Sequence, residues 1–222
     1  VESLRRTIES RGSIRISAYS ITEEVERSLR MALQCCLDLF DGAPLANPLY
    51  ICLKELLINA VKANYKYIFF EGYPGDGAEG SALSYPEALK IFRMELSRSD
   101  ILYFDVLARR YDIKADVDFR IEKETLIISV SNPVPMTGIE SLNVAEKLKE
   151  AARCRDLTEY FMKVNEDPNR EGAGLGLVIV SMMMAGLGLG GKALSVETRH
   201  THTVSELRIP MEASLVRRYC GS

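Results

Sequence analysis

Glu55, Asn59 and Lys62 stand at i, i+4 and i+7 of a strongly apolar segment, and far downstream Gly172-Ala173-Gly174-Leu175-Gly176-Leu177 runs into Val178-Ile179-Val180. A carboxylate can take a proton, an amide oxygen can ligate a hard cation, and an ammonium can offset an anion. Glycines ahead of an apolar run let bare backbone amides crowd an anion where a helix begins, which is how proteins hold polyphosphate. At ~100° per residue, Glu55, Asn59, Lys62 and Lys66 fall within about 60° of one another, with Ile51 and Ile58 on one margin and Cys52, Leu56 and Ala63 on the other. A polar stripe between apolar margins suits the floor of a pocket. The same stripe also reads as a solvated helix face with an i, i+4 pairing.

The elements that must position these groups follow from the hydrophobic pattern. Alternation over 13 to 21 predicts a strand, and Thr22 with Glu23 and Glu24 behind it caps a helix to about Phe40, stopped by Asp41-Gly42-Ala43-Pro44. Asn47-Pro48 opens a second helix to about Lys66, the one that carries the stripe. Residues 72 to 84 read as a glycine-rich loop, followed by two short helices at 87 to 98 and 100 to 111, so that 71 to 112 reads as an insertion. Strands are predicted at 114–122 and 125–131. A mostly polar helical stretch, 139 to 164, then leads to the glycine motif and reads, with 165 to 171, as a mobile cover. A helix at 175 to 185 and strands at 193–198 and 203–209 close the pattern. Blocks of helices and strands in this order predict a single domain of α/β (α+β) two-layer type: a mixed, largely antiparallel sheet with helices on one face. The second face of strand 125–131 is only half apolar and needs some cover of its own.

Composition narrows the function classes. With 222 residues, 47% of them apolar, and a net charge of -3, the chain has a sizeable core and no basic stripe suited to nucleic acid or an anionic membrane. Five cysteines lack metal-type spacing and three sit on apolar helix faces, so they read as buried thiols of a reducing compartment, the cytoplasm. No apolar run reaches the ~18 residues of a membrane span. The valine start reads as a segment of a longer protein. Gly186-Leu187-Gly188-Leu189-Gly190-Gly191-Lys192 matches two phosphate-binding patterns on paper, but Ala193 stands where a P-loop needs Ser or Thr, and a strand follows where either pattern needs a helix. It reads as a helix-to-strand turn. His200 and His202 sit at a hairpin without a convincing third ligand and read as loop histidines.

Glu55-Leu56-Leu57-Ile58-Asn59-Ala60-Val61-Lys62 resembles the N box of the Bergerat-fold (GHKL) ATPases, which include histidine kinases, gyrase-type topoisomerases and anti-sigma-factor kinases. Gly172 to Leu177 resembles the second glycine box of that family, and Leu207-Arg208-Ile209-Pro210 resembles the last strand of the histidine-kinase catalytic domain. The likeness covers roughly 22–70 and 114–212. It implies ATP and Mg²⁺: Asn59 as the metal ligand, Glu55 orienting or deprotonating the attacking group, Lys62 offsetting phosphate charge. Gly172, Gly174 and Gly176 would hinge a lid and turn amides near Leu175 toward the phosphates. Phe161 resembles the aromatic before the lid and equally reads as core. Asn132-Pro133-Val134-Pro135-Met136 departs from the family's D-x-G-x-G box. Asn132 could still accept a hydrogen bond from adenine, whereas the missing glycines leave less room for the base. Thr203 matches a family hydroxyl loosely and also reads as a plain strand residue.

Two function classes follow. One is a kinase domain that passes the γ-phosphoryl of Mg·ATP to a separate protein, since no histidine precedes position 200. The other is a regulatory module, oligomeric or not, that works through protein contacts as anti-sigma factors do.

Overall fold

The computed structural model describes residue 8 and residues 12–71, 85–97, 101–154, 156–164, 175–190 and 193–212. In chain order these form β1 (Ser13–Ala18), α1 (Glu23–Asp38), α2 (Ala46–Glu71), α3 (Tyr85–Ser97), α4 (Ile101–Arg110), β2 (Ala115–Glu122), β3 (Thr125–Asn132), α5 (Gly138–Ala151), α6 (Leu157–Val164), α7 (Leu175–Gly186), β4 (Leu194–Arg199) and β5 (His202–Pro210). The architecture is the α+β two-layer sandwich that the element pattern implies.

Local chemistry sets the helix ends. Thr22 accepts a hydrogen bond from Val25 N at 3.2 Å, and Glu23, Glu24 and Glu26 complement the exposed amides of the first turn of α1. The chain then reverses through Asp41 at φ 54° and Gly42, where a β-carbon would meet the Met211 side chain at 2.7 Å. Helix α2 tolerates Pro48 because it falls in the first turn, where no intrahelical amide is needed. It runs to Glu71, past the predicted end near Lys66, because Tyr65, Ile68 and Phe69 find partners. Tyr65 stacks on Phe104 of α4 with ring centroids 5.4 Å apart, and Phe92 of α3 lies 5.5 Å from Phe69. The predicted insertion therefore shares the main core, with Phe92, Phe104 and Ala108 buried in it.

The five strands lie in the order β1-β2-β3-β5-β4, and every neighbouring pair is antiparallel, so the sheet expected as mixed but largely antiparallel has no parallel pair among the described residues. The reason lies in the connections: α5 to α7 return the chain to β4 at the sheet edge, and the tight turn through Arg199 and His202 then lays β5 against β3. Register puts Ile14, Val117, Phe119, Ile128 and Leu207 on the side that shares a core with Leu53, Leu57 and Val180 of the helices.

The other side has no helix layer among the described residues, and charged residues cover it. Ile127 faces that way and is fully buried, flanked in register by Arg120 and Arg208. Their aliphatic stems shield it while their heads converge on Glu206, which is only 4% exposed. Arg208 Nη1 lies 2.8 Å from Glu206 Oε1, Ser129 Oγ donates to Oε2 at 3.0 Å, and Arg120 and Arg199 stand 3.4 and 3.6 Å away. No helix among the described residues is long and apolar enough to cross a membrane.

Candidate functional site

Glu55 and Asn59 are half-buried on α2, and the first turn of α7 lies against them. A β-carbon on Gly176, the second residue of α7, would collide with the Glu55 carboxylate and stand 3.5 Å from Asn59 Nδ2. Two stretches remote in the chain thus meet at side-chain contact, and any larger residue at 176 would make the Glu55 carboxylate shift. Asn59 Nδ2 is fully buried with no hydrogen-bond partner among the described residues. A donor in that state lacks a compensation worth about 1–3 kcal/mol, which a water or a ligand oxygen can supply. The amides of the first turn of α7 have no intrahelical acceptors, so anion-favouring donors lie beside an unsatisfied amide and a carboxylate.

The remaining stripe residues part company. Lys62 is exposed. Lys66 instead reaches Glu140, its Nζ 2.5 Å from Oε1. Glu140 is the third residue of α5 and closes a reciprocal cap in which its Oε2 accepts from Thr137 N and Oγ1, each at 2.9 Å. Burial pushes the Glu140 carboxyl up, but Lys66 and Thr137 outweigh it and hold it below the ordinary glutamate range. Neither Glu140 nor Thr137 was expected as a site residue, although Thr137-Gly138-Ile139-Glu140 carries the T-x-x-E capping pattern in plain view.

The segment expected as a mobile cover contains two helices that pack on α7. Ala151 of α5, Tyr160 of α6 and Val178 of α7 form a second hydrophobic cluster, with Cys154, Leu157, Leu175 and Met182 around it. Asp156 caps α6 by accepting from Glu159 N at 2.9 Å. A shallow hollow of 410 Å³ on α6, lined by Asp156, Thr158, Glu159 and Met162, includes none of the expected site residues. Gly172 and Gly174, with 165–171, lie outside the described residues, as does the Phe161 side chain. Leu175 is half-buried at the start of α7, within that second cluster.

Asn132 and Thr203 are register partners on the helix-facing side of the sheet, and both donate to the Val134 carbonyl, Asn132 Nδ2 at 3.4 Å and Thr203 Oγ1 at 2.6 Å. Met136 N donates to Thr198 Oγ1 at 3.2 Å. Side chains thereby pin the turn that lacks glycines. Because a carbonyl only accepts, the contact with Val134 sets the nitrogen of the buried Asn132 amide toward the turn and leaves Oδ1 as its acceptor. Thr203→Val removes the shorter of these bonds and is expected to lower stability by ~1 kcal/mol, a melting-temperature drop of ~2–4 °C by calorimetry. Amide exchange at Met136 accelerates in the same variant.

The cysteines near the site are packing groups. Burial pushes the Cys52 thiol up to about 12, and its sulfur sits 3.8 Å from Met183 Sδ of α7. Burial does the same to Cys36, also about 12. Among the described residues no group of three or more His, Cys, Asp or Glu is placed to hold a metal ion.

Fold and site together define an α+β sandwich whose helix layer sets a carboxylate and an amide against the start of a glycine-led helix. No family model matches the chain, and no solved structure matches it. The chain is similar to an uncharacterized protein of Treponema pallidum (strain Nichols), 29% identical over 209 residues that make up 94% of this chain and 40% of the relative. It spans less than half the length of that relative.

Proposed function

We propose that this is a cytoplasmic Mg·ATP-binding domain of the histidine-kinase type, which transfers the γ-phosphoryl group to a separate protein. The observation that carries the reading is the seating of Gly176 on the Glu55 carboxylate beside the unpartnered Asn59 amide. The donor set fits the absent groups. Asn59 offers Oδ1 to a hydrated Mg²⁺ and Nδ2 to a phosphate oxygen, the start of α7 offers amides, and Lys62 offers a cation. Mg²⁺, when bound, neutralises phosphate charge. The acceptor's nucleophile forms a bond to the γ-phosphorus as the bond to the β,γ-bridging oxygen breaks. ADP keeps that electron pair, and Glu55 aligns the nucleophile or takes its proton. On the helix-facing side of the sheet, Oδ1 of the buried Asn132 would be the acceptor for an amino group such as that of adenine.

A second reading, a regulatory module that engages a partner protein without turnover, draws support from the turn at 133–136. Its Val134 carbonyl is already claimed by Asn132 and Thr203, Val134 and Met136 stand where glycines would admit a base, and Pro133 and Pro135 stiffen the turn.

Melting in the presence of Mg·ATP separates the two. A ligand that binds only the native state at 100 times its Kd adds ~2.7 kcal/mol, which raises the melting temperature by ~5–10 °C. That rise is expected for the wild type and is expected to vanish in Asn59→Ala. A wild type that shows no rise at millimolar Mg·ATP overturns the nucleotide reading and leaves the regulatory one.

A further inference from the structure

We propose that Ser20, Tyr65 and Asp105 hold one internal water molecule, which latches α4 to α2 and to the link between β1 and α1. The inference stands apart from the nucleotide reading and concerns other side chains. Three elements bring polar groups together here. Tyr65 is 3% exposed and Ser20 7%, so both are withdrawn from solvent. Tyr65 Oη and Asp105 Oδ1 are buried atoms with no hydrogen-bond partner among the described residues. Tyr65 stacks on Phe104, the residue before Asp105, which sets both polar groups at the contact between α2 and α4. Arg109 donates to Asp105 Oδ2 at 3.1 Å and lies 5.1 Å over the ring of Tyr19, the residue before Ser20, which brings the link to the same place.

The three groups act on one another. Burial pushes the Tyr65 phenol up to about 12 and the Asp105 carboxylate adds to this, while Ser20 pulls the other way. Burial also pushes the Asp105 carboxyl up, but Ser20 and Arg109 outweigh it and hold it below the ordinary aspartate range. Near neutral pH the set therefore offers a donor phenol, an accepting carboxylate and a hydroxyl that does either. An internal water, which donates and accepts and takes about two to four polar partners, matches that set. A cation matches it less well, because Arg109 already neutralises Asp105. Tyr19 is itself hydrogen-bonded to Asp112, and Phe92 packs edge-on against Phe104, so paired and aromatic side chains surround the cluster. Hydrogen bonds made in such a low-dielectric setting are strengthened, and leaving them unmade is costly.

Tyr65→Phe preserves the stack on Phe104 and deletes only the hydroxyl, so the sign of its effect is decisive. With the water in place, the deletion removes a hydrogen bond: α4 amides are expected to exchange about three- to tenfold faster, with β3 amides unchanged. Oxygen-17 relaxation dispersion of the solvent counts long-lived internal waters, and the variant is expected to hold one fewer than the wild type. Ser20→Ala, on a different element, is expected to speed α4 exchange too, and the double variant to show less than the product of the two effects. Unchanged or slower exchange in Tyr65→Phe overturns the latch, because removing an unpaired buried hydroxyl is neutral or stabilising. Faster exchange with an unchanged water count overturns the water and assigns the latch to direct bonds.

Discussion

On the proposed nucleotide reading, Gly176→Ala is expected to lower affinity for Mg·ATP and phosphoryl transfer by about ten- to a hundredfold while the fold survives. The added methyl needs the space of the Glu55 carboxylate, and it stands close to Asn59 Nδ2 as well. Two terms oppose each other in stability. Alanine gains up to ~1 kcal/mol of helix propensity over glycine, and overpacking costs about 1–3 kcal/mol. The obstacle is the end of a flexible side chain, which can swing aside, so the net loss is expected near ~1 kcal/mol. Function has no such escape. If Glu55 serves as the proposed base or aligning group, displacing its carboxylate by an ångström is enough for a loss of ~10²-fold. Adding Glu55→Ala to Gly176→Ala is expected to return the stability but not the transfer activity, a non-additivity that marks direct contact. Thermal melts and a radiolabelled-ATP assay with a candidate acceptor measure the two quantities. A Gly176→Ala protein with full nucleotide response shows that the glycine serves only local packing.

Glu206→Ala produces the largest loss of stability, and it does so on the opposite side of the sheet. It strands Arg120, Arg199 and Arg208 around a vacated carboxylate position and unpins the arginine stems that shield Ile127. Breaking a fully buried ion pair costs ~3–5 kcal/mol, but these arginines are nearly half exposed, so about 2 kcal/mol and a melting drop of ~4–8 °C are expected. The pH dependence has a definite sign. Burial pushes the Glu206 carboxyl up, and Arg208, Ser129 and Arg199 together pull it below the ordinary glutamate range. The folded protein therefore holds that proton less readily than the unfolded chain. The contribution is fully present above the unfolded value of about 4.3 and disappears as pH falls through the lower folded value. Urea titrations between pH 3 and 6 should show a shallower acid loss in Glu206→Gln than in the wild type. Equal slopes would assign the acid sensitivity to other carboxylates.

Much of this molecule is written in short windows of sequence. Thr22 with its trailing glutamates, Pro48 at a helix start, and the alternation of Val117, Phe119 and Ile121 each depend on neighbours within about four residues, so periodicity and capping rules reach them. The same holds for the predicted helix-to-strand turn after Gly186, where Gly188 takes φ 74° and β4 follows. The Glu55, Asn59 and Lys62 stripe and the glycine string were legible as separate chemical offers. What the sequence alone left open was the reach of α2 to Glu71, which hangs on aromatic partners in α3 and α4, and the fully antiparallel pairing, which hangs on how α5 to α7 route the chain.

The amino-acid order alone determined which groups this protein can bring to bear: a carboxylate and amide one turn apart, a glycine-led helix, and a sandwich of helices on a sheet. Tertiary structure decided which of them touch. It seats Gly176 on Glu55, commits Lys66 to Glu140, turns Asn132 and Thr203 onto Val134, and roofs Ile127 with arginine. Most of these contacts join residues distant in the chain, and the free energy of such a contact depends on the path of the backbone between them, a property that no local window contains.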